Sequence, residues 1–498
     1  MEKQEYDVVV VGAGNAALCA ALSAREQVKR VLVLEKAGMS ERCGNSYFAD
    51  GGFRFVHQGL EDIRRDVLLD LSQAEVDSIE IFPAYSSDKY YSDLMAVTDH
   101  QSNEELARLL IDNSRDTVRW LGGYTIRWLP MFNRLSIVVN GKHRFHGGVT
   151  VFASGGGAGL VTSLVAAAGR KGIEVRYDTA ARRLIQNRSG AVAGVEVRGP
   201  EGIYEIAARS VVLASGGFEA NAEWRARYLG RGWDLCHVRG TRHNTGDGIR
   251  MALDIGAEPH GNWSSCHAVP WDVSAPVLGD RTIIGDYQKY SYHLGIMVNL
   301  QGRRFADEGE SYRLFTYAKF GREIINQPNR TAIQIFDRKI TPLLRDEYRV
   351  RHVTKVESDT VEGLAEKLGI EPGALVRTVN EFNSACQPGT FNQEILDGKR
   401  TIGIDPPKSN WAVPLDTPPY AAFVTTCGIT FTYGGLRINS QGAVQDTSGR
   451  SIPGLYAAGE LVGGLFYNSY PGGTGLMAGA VFGRLAGASA GKSAQSVA

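Results

Sequence analysis

The decapeptide Val8-Val9-Val10-Val11-Gly12-Ala13-Gly14-Asn15-Ala16-Ala17 constrains this chain more than any other segment. A β-branched run, Asp7–Val11, reads as a fully buried strand. Ala16–Arg25 reads as an Ala-rich helix and Val31–Leu34 as a second buried strand. Gly12, Gly14 and Ala17 fit the Gly-x-Gly-x-x-Gly/Ala fingerprint of a strand–turn–helix–strand unit. The first glycine allows the tight turn, the second lets backbone meet a pyrophosphate, and the third small residue lets helix and strand pack closely. The phosphates would then face the N–H groups at the helix start. Glu35 ends the second strand about 20 residues after Gly14, where a carboxylate accepts from ribose hydroxyls. A lone glycine turn is common, but in this setting it predicts a dinucleotide site.

Glycine is abundant throughout, at 59 of 498 residues against an average of about 7%. Lys and Arg number 54, as do Asp and Glu, and this zero balance argues against a general nucleic-acid binder. At 498 residues the chain is expected to fold into two or three packed units, and with 43% hydrophobic and 22% charged residues disorder is not expected. The six cysteines form no CxxC pair or ligand-like cluster, so neither a disulfide framework nor a metal site is expected. Met1–Tyr6 is polar and runs directly into a strand, and no apolar run reaches about 18 residues. These features predict a cytoplasmic protein without a signal peptide or membrane span.

Short alternating strands, Val192–Val197 and Ile203–Ala207, suggest a meander leading into Val211–Ala214. From 271 to 424 the chain is more aromatic and more charged, with helical stretches at Glu362–Leu368 and Gly373–Phe382. The predicted fold class is α/β: a Rossmann-type domain in two parts, 1–270 and 425–490, split by an inserted α+β capping domain, 271–424. Residues 491–498 are small and polar and are expected to form a flexible tail.

Glycine-rich apolar segments recur at 214–217, 245–248, 457–464 and 472–475. Segments so far apart that return to one site suit a long cofactor, FAD rather than NAD, although each could be an ordinary turn. The expected contacts are Gly12, Gly14, Asn15, Ala16 and Ala17 at the turn, with Glu35 and Lys36 after the second strand. Further along come Ala180, Ala214, Ser215, Gly216, Asn244 and Asp247.

VVLASGGF (211–218), NTGDGI (244–249), VNLQGRRFADE (298–308) and PGLYAAGELVGG (453–464) resemble the fumarate reductase/succinate dehydrogenase flavoprotein superfamily. The resemblance runs in order over nearly the whole chain. It implies an FAD domain split by a cap, with substrate between cap and isoalloxazine. Covalently flavinylated members carry a His in the segment matching Gly44-Asn45-Ser46; Asn45 stands there, implying non-covalent FAD. The resemblance places Asn45, Ser46, Gly51 and Gly52 against flavin and phosphates, Glu460 at the ribityl chain, and Gly473, Thr474 and Leu476 at the ring edge.

Within the superfamily, GNAALCA (14–20), ADGGFRF (49–55), CHAVPWD (266–272) and DEGESYRLFTYAKFGR (307–322) are most similar to FAD-dependent tricarballylate dehydrogenases. That resemblance implies oxidation of tricarballylate to cis-aconitate, with electrons passed to a membrane-associated iron–sulfur protein. His267 matches one substrate-binding His of fumarate reductases. The second is replaced by Thr430 and Phe431, the binding Arg by Tyr470, and the Glu–Arg proton path by Gln288 and Ser291. At the proton-transfer position Tyr312 has the family spacing and Arg313 follows it, so both are candidates for the base. Arg313 could instead clamp a carboxylate.

Tyr312 with Tyr470 also resembles 3-ketosteroid Δ1-dehydrogenases, in which a tyrosinate takes the proton. A polycarboxylate needs several cations and a steroid an apolar cavity. Arg54, His267 and Arg313 favour the former, with Arg54 expected to face substrate. The cluster Lys142-His143-Arg144-Phe145-His146 is either a loop over the pocket or a solvated turn. An enoate reductase and a non-catalytic flavin-binding subunit are the other readings.

Overall fold

The computed structural model describes residues 5–145 and 148–496. His146, from the basic cluster, and residues 497–498 of the expected tail lie outside the described residues. Two compact units emerge: one comprises 1–234, 240–266 and 431–498, the other 235–239 and 267–430. The composition boundaries at 271 and 424 fall inside the second. Two of the crossings lie within long strands, Pro259–Asp272 and Tyr420–Leu436.

In the first unit, strand β1 (Glu5–Val11), helix α1 (Asn15–Arg25) and strand β2 (Val31–Leu34) form the expected βαβ start. Strands β3 (Glu174–Arg176), β4 (Ala180–Gln186), β5 (Val192–Gly199) and β6 (Gly202–Leu213) complete most of the sheet. The order is β4-β5-β6-β1-β2-β3, with Ser451–Ala457 parallel to β6. β1 pairs in parallel with both β2 and β6, so Val8–Val10 are enclosed on both faces and fully buried. Ile203–Ala207 and Val211–Ala214, read from sequence as two strands, fall in one, Gly202–Leu213, because the intervening residues continue the ladder with β1.

The C-terminal helix, Thr474–Ser496, packs along α1. Gly479, Gly483, Gly487 and Gly491 recur every fourth residue and so share one face. A Cβ at Gly483 would lie 2.4 Å from Ala16 O, and one at Gly487 would lie 2.1 Å from Ala20 O. The helix therefore continues through 491–496, where a flexible tail was expected, because Gly491 keeps it against Gln27 and Ala494 is buried.

In the second unit, Ala332–Phe336 lies between Ile296–Asn299 and Tyr420–Leu436, antiparallel to both, and Val356–Ser358 pairs on the far side of the latter. Helices Val361–Leu368 and Pro372–Ala385 bury Leu364, Leu375, Val379 and Phe382 against Ile296, Val298, Ile333 and Ile335. Thr360 caps the first and Glu371 the second. Among the described residues no helix is long and apolar enough to cross a membrane, and no group of three or more His, Cys, Asp or Glu could hold a metal.

Gly487→Val should cost about 1–3 kcal/mol or more by overpacking. A fall in the thermal unfolding midpoint checks this; an unchanged midpoint contradicts the close helix contact.

Candidate active site

The turn after β1 is built by backbone contact. Gly12 has φ +106°, and a Cβ there would lie 2.4 Å from Ala214 O. The Ala214 N–H in turn donates to Val11 O at 2.9 Å, tying the end of β6 to the end of β1. α1 then begins at Gly14 with no side-chain cap and no acidic residue in its first turn. Asn15 N donates to Ser46 Oγ (2.9 Å), and Asn15 Nδ2 donates to Leu476 O (2.8 Å). The structure thus brings together Gly12, Gly14, Asn15, Ala16, Ala17, Ser46, Ala214 and Leu476 from four distant segments.

Glu35 is buried at the end of β2. Its Oε1 accepts from Ala37 N at 2.9 Å, and its backbone carbonyl accepts from Thr179 N, next to Ala180. Burial raises the Glu35 carboxyl above its ordinary pKa, opposed by backbone N–H groups of Ala37, Cys43 and Ala13. Lys36 Nζ is engaged by Thr245 Oγ1 and Asp247 Oδ2, both at 2.6 Å. The uncapped helix start suits a pyrophosphate. The Ser215 hydroxyl oxygen, buried without a hydrogen-bond partner among the described residues, and Gly216 beside it offer further polar backbone and side-chain contact. These features fit a dinucleotide.

Asn45, Asn244 and Glu460 converge on a residue not singled out from the sequence, Glu219. Asn45 Nδ2 donates to Glu219 Oε1 (2.5 Å) and Asn244 Nδ2 to the same oxygen (2.7 Å). Asn45 Oδ1 accepts from Thr241 N at 2.8 Å. Thr432 N donates to Glu460 Oε1 at 2.8 Å. The one sequence signal for Glu219 was its charge directly after Gly216-Gly217-Phe218.

Gly51 and Gly52 precede Arg54, which is fully buried. Its Nε donates to Gly472 O (2.9 Å), its Nη1 to Tyr85 Oη (2.6 Å), and it pairs with Asp93. Its backbone N–H donates to Gly473 O, and Thr474 Oγ1 accepts from Tyr90 Oη at 3.3 Å. Arg54, expected to face substrate, thus pins the 472–474 turn. Tyr470 sits in an aromatic cluster, its ring centroid 5.2 Å from Phe431 and 5.4 Å from Phe466. In the basic cluster, Lys142–Phe145 is a strand; Arg144 pairs with Glu80 and His143 with Ser136.

The second unit gathers His267, Tyr312 and Arg313. His267 packs edge-on against Tyr317 at 5.1 Å, Tyr317 against Tyr290 at 5.2 Å, and the Arg313 guanidinium lies 5.9 Å from the Tyr290 ring centroid. Burial, then the Arg239 charge, drives the His267 imidazole well below its ordinary pKa, so it is neutral. Burial, then Arg345, lowers the Arg313 guanidinium to about 10. Tyr312 stands at the N-terminal boundary of the short helix Arg313–Thr316 without a side-chain capping bond, its ring 6.4 Å from Trp411. Arg239, Arg345 and His293 were missed: each is isolated in sequence and meets this group only through the fold. His293 is likewise held neutral by burial and Arg313.

Residues 7–476 match the family described as FAD binding domain. The chain belongs to that family. A probable fumarate reductase of Shewanella frigidimarina is 30% identical over 98% of this chain and 75% of its own length. A 4-oxocyclohexanecarboxylate 2-dehydrogenase of Sinomonas cyclohexanicum is 28% identical over 94% of this chain and 90% of its own. The open conformation of a flavocytochrome c3 fumarate reductase has a TM-score of 0.71 at 28% identity, covering 99% of this chain and 79% of that one. The fold is therefore the mixed α/β fold of the fumarate reductase/succinate dehydrogenase flavoproteins, and the protein is an FAD-dependent oxidoreductase.

Glu35→Ala should weaken FAD binding about 10–100-fold, the equivalent of a charge-assisted hydrogen bond. Flavin retained through gel filtration reads this out; full retention removes Glu35 from the site.

Proposed function

We propose that this flavoprotein dehydrogenates a C–C bond flanked by carboxylates in a small polycarboxylate, with tricarballylate to cis-aconitate as the leading case. The observation that carries the reading is the set of desolvated cations in the second unit. Arg313 and Arg345 lie half-buried near each other, Arg345 also pairing with Glu347, and Arg239 presses on a neutral His267. Carboxylates match guanidinium geometry in bidentate pairs, so a cluster holding more than one guanidinium suits a polycarboxylate.

FAD, when bound, supplies the acceptor for a hydride from the β-carbon. The chain must remove the α-proton. Arg313 is the proposed base: its neutral guanidine takes the proton and becomes guanidinium as the C=C bond forms. Desolvation lowers its pKa in the direction a base needs, although most of it remains charged at neutral pH. Neutral His267 would hydrogen-bond a substrate carboxylate. Asn45 in place of a tethering His supports non-covalent FAD. An iron–sulfur protein as electron acceptor rests on the tricarballylate dehydrogenase resemblance alone. The aromatic surroundings of Tyr312 and Tyr470 favour one alternative, a 3-ketosteroid substrate with tyrosinate as base.

Under anaerobic conditions tricarballylate should bleach the oxidised flavin absorbance. Bleaching by a 3-ketosteroid instead would replace this reading. Reoxidation of chemically reduced enzyme by fumarate, without bleaching by tricarballylate, would favour a reductase.

For wild type, kcat/KM should rise with pH and level off near about 10, because the base acts in its deprotonated form. Arg313→Ala should lose about 10²–10⁴-fold in kcat while keeping the flavin spectrum. A flat profile or full activity in the variant removes Arg313 as base.

A further inference from the structure

Glu219 is fully buried in the first unit, immediately after the glycine turn that ends β6. Its Oε1 accepts two amide hydrogens, from Asn45 and Asn244, at 2.5 and 2.7 Å. Its Oε2 is buried with no hydrogen-bond donor among the described residues. The Asn244 amide nitrogen also lies 3.4 Å from Glu460 Oε2, so two carboxyl groups crowd one NH₂. Glu460 Oε1 is already occupied by Thr432, at 2.8 Å from N and 3.3 Å from Oγ1. A Cβ at Gly217 would lie 2.1 Å from that oxygen, so the wall on this side is backbone.

Two buried carboxylates this close cannot both stay ionised. Among the described residues no cation forms an ion pair with either of them. The Arg225 guanidinium bonds the backbone carbonyls of Glu219, Trp233 and Asp234. Lys36 is paired with Asp247, and His243 with Glu41. A proton on Glu219 Oε2, directed at Glu460, gives the orphaned oxygen a partner and removes one of the two charges.

We propose that Glu219 and Glu460 share one proton and act as a single monoanion that orients Asn45 and Asn244 toward FAD, so that FAD is lost when alkaline pH removes that proton. Glu219 is thus a positioning residue, acting through Asn45 and Asn244. Burial and the neighbouring Glu460 raise the Glu219 carboxyl well above its ordinary pKa, and the Glu460 carboxyl is raised by burial, consistent with a proton held at neutral pH.

Glu219→Gln is the informative variant, since its carbonyl accepts from both asparagines and its NH₂ donates to Glu460 without titrating. FAD release from the holoenzyme is followed by flavin fluorescence between about pH 7 and about pH 10, spanning the range above ordinary carboxyl titration. Wild type should lose at least about tenfold in FAD affinity across that range; Glu219→Gln should match wild type at the lower pH and stay flat. Glu219→Ala should bind FAD at least about tenfold more weakly at every pH, because Asn45 loses its partner.

Stability supplies a readout that does not involve FAD. A carboxyl whose pKa is raised in the folded state loses stability as pH rises from its unfolded value toward its folded one. The melting temperature of apo Glu219→Gln should therefore exceed that of wild type at neutral pH, and the gap should close as pH falls toward the ordinary Glu value. The proposal is overturned if wild-type affinity is flat, if Glu219→Gln loses FAD over the same range, or if the melting gap is absent at neutral pH.

Discussion

The larger unit depends on one close backbone approach, that of Gly12 to Ala214 where β1 and β6 end side by side. A side chain at Gly12 would sit inside the Ala214 carbonyl. The same turn sets the start of α1, and α1 in turn can hold the C-terminal helix only because that helix offers glycines to the α1 carbonyls. Strand, turn and two helices form one chain of contacts in which neighbouring backbones leave no room for side chains. The glycine excess is therefore stereochemical. Much of it marks where backbone meets backbone, and α1 begins at that turn with no side-chain cap from Gly14.

The chemistry-bearing residues divide by environment. In the first unit, polar side chains support cofactor-binding segments: Arg54 fastens the 472–474 turn, and Glu219 gathers Asn45 and Asn244. In the second, cations and imidazoles are packed among aromatic rings, so burial dominates their protonation. It makes His267 and His293 neutral and brings Arg313 down to about 10. A guanidinium in water is effectively never a base; only desolvation and a neighbouring like charge move it toward that role.

The βαβ start, its fingerprint and Glu35 were legible in the sequence because they are local: valines, glycines and a carboxylate at fixed spacing. The helices around 362–368 and 373–382 were legible for the same reason, as short local helical stretches. Arg54 was harder. Its position after Gly51-Gly52 pointed to the site, but its engagement with Tyr85, Asp93 and Gly472 depends on long-range packing. The run at 491–496 looked frayed because small residues carry little local signal, and its order comes from Gly491 and Ala494 fitting against the N-terminal part of the chain. Glu219, Arg239 and Arg345 were invisible as a group because each gains its meaning from partners far away in sequence.

The central proposal is that the glycine turn and its returning segments hold one FAD without a covalent bond, because Asn45 stands where the resemblance puts the tethering His. Acid precipitation of the purified protein tests it most directly. The account predicts that the flavin appears in the supernatant, as FAD, in a one-to-one ratio to chain. Flavin remaining with the precipitated polypeptide, or a purified protein that binds none, would contradict it.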